Sequence, residues 1–130
     1  MRGDNTAKAV PAPVSNQEIR RPIDIEHLTR QTLGDSSLEM EVLRLFDEMS
    51  HVYYQRLESS TTVPDLLRNL HTLKGAASGV GAFALAELAR VAETELRDGQ
   101  AVNPERIDDL NMAVQEVSAF INARLKAEAA

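Results

Sequence analysis

The sequence predicts an all-α fold: an antiparallel up-down-up-down four-helix bundle with a short additional N-terminal helix. Three observations lead there. Apolar residues recur at alternating steps of three and four in four long segments, and no stretch shows the period-two alternation of a strand. Aromatics are 4% of a chain that is 43% hydrophobic, so the core must be built from Leu, Val, Ile, Ala and Met, which suits helices better than stacked sheets. The connections are short, which makes sequential helices antiparallel neighbours.

The elements follow in order. Residues 1–21 hold Pro11, Pro13, small residues and no periodic apolar face, and are expected to form a flexible tail. The bundle domain is expected over residues 22–126. Its short first helix is capped by Asp24, turns Ile25, Leu28 and Thr32 inward, and closes at Leu33 and Gly34. Asp35 caps a longer helix over residues 36–58. Leu38, Val42, Leu45, Met49 and Val52 are its predicted core stripe, widened by Phe46, Tyr53 and Leu57.

The central stretch, residues 62–81, reads TVPDLLRNLHTLKGAASGVG. Thr62 caps it, Pro64 sits in the first turn where its missing N–H costs nothing, and Asp65 faces the positive end of the dipole. Leu66, Leu70, Leu73, Ala77 and Val80 form the inward stripe, and Gly79 with Gly81 is expected to end the helix. The next helix covers residues 83–97, with Leu85, Leu88, Ala92 and Leu96 inward. Glu87, Arg90, Glu93 and Arg97 are read as salt-bridge spacings on its other faces. Asn103 and Pro104 start the last helix, whose stripe is Ile107, Leu110, Val114, Val117 and Ile121. It is expected to end near Leu125 and fray beyond.

Composition narrows the function. The net charge of −6 disfavours a phosphate backbone as partner, so no nucleic acid is expected. There is no cysteine, hence no disulfide scaffold and no thiolate metal site. No apolar run is long enough to span a membrane, and residues 1–17 lack a signal-peptide core. A cytoplasmic, monomeric protein is expected. His27, His51 and His71 fit no helical metal pair, so no metal site is expected. No phosphate loop or nucleophile elbow occurs either.

His71 stands apart from the other two histidines. At ~100° per residue it lies roughly 140° round from the centre of the core stripe, so it faces water or its edge. Lys74, Gly75 and Ser78 follow three, four and seven residues later on the same face. The plain alternative is a surface histidine beside a surface lysine. Gly75 weighs against it. Glycine inside a helix costs about 1 kcal/mol relative to alanine, and the helix's own packing does not ask for it there. A partner that approaches the backbone beside His71 does.

The phrase HTLKGAASGVG, with His71, Leu73, Lys74, Gly75 and Gly81 in the order H-x-L-K-G-x-x-x-x-x-G, resembles the histidine phosphotransfer domains of multistep phosphorelays. The order of helices over residues 23–125 matches that family as well. Ala76 and Ala77 stand where some members carry a serine. The resemblance implies that His71 accepts a phosphoryl group from an aspartyl phosphate on a receiver domain of a hybrid sensor kinase. It implies onward transfer to the aspartate of a downstream response regulator. It also implies that Lys74 stabilises the phosphoryl oxygens, that Gly75 leaves room for the receiver, and that Gly81 sets the turn into the next helix. No cofactor is implied for this chain; Mg²⁺ is expected on the receiver. The chain would then be a phosphocarrier without an ATP site rather than an enzyme in its own right.

The physics is compatible. A neutral imidazole, with an unperturbed pKa of ~6.5, is a good nucleophile near neutrality. Phosphoryl transfer asks mainly for in-line placement and charge neutralisation. Leu67, one turn before His71, is the first candidate docking anchor, with Ser78 and Arg68 beside it. Two rival readings are a non-catalytic adaptor that binds receivers without phosphate exchange, and a small hydrolase using His71 as base. The second lacks any nucleophile or oxyanion donor that spacing can place.

Overall fold

The computed structural model describes residues 21–129. Five helices occur among them: α1 (Ile25–Gln31), α2 (Ser36–Ser59), α3 (Val63–Val80), α4 (Phe83–Arg97) and α5 (Pro104–Ala129). The four long helices form a closed antiparallel bundle in which α3 packs on α2 and α4, and α5 packs on both of those. The short α1 leans on α2 and α3. Among the described residues, no helix is long and apolar enough to cross a membrane. The expected tail, apart from Arg21, lies outside the described residues.

The caps act where the sequence places them. The side chains of Asp24, Asp35 and Thr62 accept from the backbone N–H three residues on, and Asn103 Oδ1 accepts from Glu105 N at 2.9 Å. Each satisfies a donor that the first helical turn leaves free. The core is a single cluster in which Leu43, Leu70, Leu73, Ala77, Leu110, Val114 and Ile121 are fully enclosed.

Three expectations are corrected. First, the predicted stripe of α2 is off-centre: Phe46 and Leu57, expected only to widen it, are buried, and Val42 and Met49 sit half-buried at the edge of the core. The buried residues of α2 are Glu39, Leu43, Phe46, Ser50, Tyr54 and Leu57, whereas Leu38, Leu45 and Val52 are exposed. The helix carries two apolar stripes, and the buried one admits polar groups because each has partners. Ser50 Oγ donates to the carbonyl of Asp47. Glu39 accepts from Thr29 and from Arg124 of α5, which ties α1, α2 and α5 together. Second, Gly79 does not end α3: it lies in the last turn, and its carbonyl meets His27 Nε2 at 3.2 Å. Third, α5 continues past Leu125 to Ala129.

Gly81 is required for two reasons. It takes the left-handed C-cap conformation at φ 92°. A Cβ there would stand 2.9 Å from the carbonyl oxygen of Asp24. The backbone of Asp24 crosses directly over it and donates its N–H to Gly81 O at 2.9 Å, so α1 is anchored on the α3–α4 turn.

Candidate functional site

The rigid α3–α4 hairpin builds the site. The inward stripe of α3 is buried at all five predicted positions, which fixes the rotation of the helix. His71 therefore projects outward, and its side chain is 64% exposed. Gly75 is also on the surface, and a Cβ added there would meet nothing within 4 Å. Neither packing nor backbone conformation demands glycine at that position.

The imidazole is not free to turn. Its Nδ1 lies 3.1 Å from Oε2 of Glu93 on α4. A carboxylate can only accept, so Nδ1 carries the proton and the lone pair of Nε2 points to water. Glu93 itself is 5% exposed. Besides His71, it meets Lys74 Nζ at 3.0 Å through Oε1 and Arg97 Nη2 at 2.6 Å through Oε2. The Lys74 contact is one of charge more than of direction, since Oε1 has no well-aligned hydrogen bond. Burial works to raise the pKa of Glu93, but the donors Lys74, Arg97 and His71 together outweigh it and hold the pKa below the ordinary carboxylate value. Glu93 is thus an anion at neutral pH, enclosed by an imidazole N–H and two cations.

Glu93 was missed by the sequence reading, which placed it on a solvated face. The signal was present: Glu93 follows Ala89 by four residues and precedes Leu96 by three, and both are buried. A carboxylate in the core register of an amphipathic helix needs partners, and here two come from α3 across the hairpin and one, Arg97, from one turn along α4.

The other predicted site residues fall into two groups. Lys74, Gly75 and Ser78 share the face of His71, Lys74 half-buried and the other two exposed. Leu67 is half-buried and packs against the edge of the core, so it offers less to a partner than expected. Arg68 is exposed, with its guanidinium engaged by Asp65 at 2.8 Å. Gly81 is remote from the imidazole face and acts in the turn.

The misassigned stripe of α2 supplies an apolar surface that was not foreseen. Val42, Leu45, Met49 and Val52, with Ala76 and Val80 of α3, line an open groove of about 670 Å³. On α3 the exposed Gly75 and Gly79 lie between His71 and this groove. The two glycines make a low ridge, over which one partner could reach both.

A family model described as "Hpt domain" matches residues 39–120, more than half of the chain. The crystal structure of the histidine phosphotransferase ShpA from Caulobacter crescentus is similar to this chain at a TM-score of 0.64 and 30% identity. The alignment covers 83% of this chain and 94% of that one. A search of curated proteins gave no match. With the bundle, the outward histidine and the family match in agreement, the chain belongs to the Hpt domain family of histidine phosphotransfer proteins.

Proposed function

We propose that the chain is a phosphorelay carrier in which Nε2 of His71 is the phospho-accepting atom. The observation that carries this is the exposed imidazole whose Nδ1 is tethered to the buried carboxylate of Glu93. One nitrogen is fixed as a donor, so the other is presented to solvent as a nucleophile in a defined direction.

In the accepting step the Nε2 lone pair bonds to phosphorus while the bond from phosphorus to the aspartyl oxygen of a receiver breaks. The aspartate leaves as carboxylate. Nδ1 keeps its proton, so the phosphorylated ring carries a positive charge, and Glu93 faces it. Passing the group on reverses these events: a second receiver's aspartate attacks phosphorus, and the ring departs as a neutral imidazole. The donor is the receiver of a hybrid sensor kinase and the acceptor a downstream response regulator. Each supplies the Mg²⁺ and acidic residues that phosphoryl transfer needs.

The receiver docks across the glycine ridge. Gly75 admits its backbone or side chains close to His71, and the α2–α3 groove takes an apolar element. Leu38, Val42, Leu45, Met49 and Val52 recur at steps of four and three, the spacing of a helix-packing seam, so that element is an amphipathic helix. Leu67, Ser78 and Arg68 then lie at the margin of the interface. The test is transfer of label from a phosphorylated receiver to the wild type and to His71→Gln. Receiver binding by both without label on either would favour the adaptor reading.

A further inference from the structure

We propose that Arg97 is the second cation of the phosphoryl site, exchanging its ion pair with Glu93 for one with the phosphoryl oxygens once His71 is loaded. The proposal rests on His71 being the phospho-accepting residue, and it reassigns part of the role given to Lys74 alone.

Charge bookkeeping motivates it. Lys74 is 3.0 Å from a carboxylate that is 5% exposed. Water cannot screen that carboxylate, so the charge of Lys74 is already matched before any phosphoryl group arrives. A phosphoryl group on Nε2 adds a charge of about −1.5 to −2. With Lys74 cancelled by Glu93, only the ring's own positive charge would face that group. Arg97 adds a second positive charge against the two negative ones of the phosphoryl group.

Geometry allows the exchange. Arg97 Nη2 and His71 Nδ1 meet on the same oxygen, Oε2 of Glu93, so the guanidinium is the imidazole's next neighbour. In the antiparallel hairpin Arg97 lies one turn beyond Glu93, toward the start of α3, whereas Lys74 lies one turn beyond His71, toward its end. The two cations therefore bracket the ring. The side chain of Arg97 is 60% exposed, and among the described residues only Nη2 is hydrogen-bonded. Its remaining donors form the planar fork that matches phosphate oxygens in pairs. No covalent bond changes in the exchange. Glu93 keeps the Nδ1 proton and, with it, the positive charge of the phosphorylated ring.

The test loads the full chain on His71 with phosphoramidate, which needs no receiver, and follows the phosphoryl group by ³¹P NMR as pH is varied. A cation near the group favours its dianion. Arg97→Gln is therefore expected to raise the phosphoryl pKa by about half a unit, the size of a unit charge a few ångströms away in a well-screened setting. Arg97→Lys keeps the charge and is expected to restore most of the wild-type value. Superimposable titrations for wild type and Arg97→Gln would overturn the assignment while leaving the relay reading intact. Failure of phosphoramidate to load His71, where it loads free imidazole, would overturn both.

Discussion

Glu93→Gln tests the tether most sharply, because it keeps the shape of the side chain and removes its charge. In the wild type the carboxylate accepts from His71 Nδ1 and Arg97 and forms an ion pair with Lys74. A hydrogen bond to a charged acceptor contributes ~1.5–3 kcal/mol when buried, but the imidazole is mostly exposed, so a bias of about 1 kcal/mol is expected. At ~1.4 kcal/mol per factor of ten, that is about a fivefold preference for the Nδ1–H tautomer over what the imidazole would show alone. The amide of Gln can accept from Nδ1–H or donate to a bare Nδ1, so the preference should collapse. Long-range ¹H–¹⁵N correlation spectra of His71 at mildly alkaline pH read the two tautomers directly. Transfer from a phosphorylated receiver should slow by about the same factor. A variant with wild-type tautomer populations and wild-type transfer would refute the tether.

The same substitution has a pH signature. The pKa of Glu93 is lowered in the folded state, so its ion pairs stabilise the protein above the ordinary carboxylate pKa. That stability is lost as pH falls through the depressed folded value. At neutral pH Glu93→Gln should be less stable by ~1–2 kcal/mol, a modest figure because Lys74 and Arg97 can both turn to water. The gap should close in acid, and urea denaturation at neutral pH and below pH 4 compares the two; a gap that widens in acid contradicts the ionisation assigned here.

Other expectations follow from single observations. Gly75→Gln adds bulk where a Cβ meets open space, so circular dichroism should show an unchanged fold while transfer is impaired; a large loss of helicity would place Gly75 in a packed interface instead. Gly81→Ala puts a Cβ 2.9 Å from Asp24 O at φ 92° and should cost ~1–3 kcal/mol in chemical denaturation, whereas Gly75→Ala, in open space within a helix, should stabilise by up to about 1 kcal/mol; equal effects at the two would contradict the close approach at Gly81. Leu45→Glu on the exposed stripe of α2 should leave stability within ~0.5 kcal/mol and weaken receiver binding by about tenfold in calorimetry. A stability loss typical of a core leucine would restore the stripe to the interior.

What the sequence revealed, and what it hid, has a physical pattern. The register of α3 was legible because it has one apolar stripe, and that register alone placed His71, Lys74, Gly75 and Ser78 outside. α2 was misread because it has two. The richer stripe, Leu38 to Val52, runs along the margin of the core, exposed at Leu38, Leu45 and Val52 and half-buried at Val42 and Met49; the poorer one contains Ser50 and Glu39, which look unfit for a core until Arg124, 85 residues away, is seen to pair with Glu39. Glu93 was hidden for the same reason. Its i,i+4 spacing to Arg97 was visible, but His71 and Lys74 lie across the hairpin, and spacing within one helix cannot show a contact made between two. In both cases a buried carboxylate marks where tertiary pairing overrides local pattern. One of them supports the candidate site, and the misread stripe lines the groove proposed here for docking.

The most direct measurement is the fate of label from a phosphorylated receiver mixed with the full chain. Acid-labile, base-stable label should appear on the wild type, localise to His71, and vanish in His71→Gln while receiver binding persists. Label that remains on His71→Gln, or that maps to another residue of the wild type, would contradict a carrier built on this imidazole.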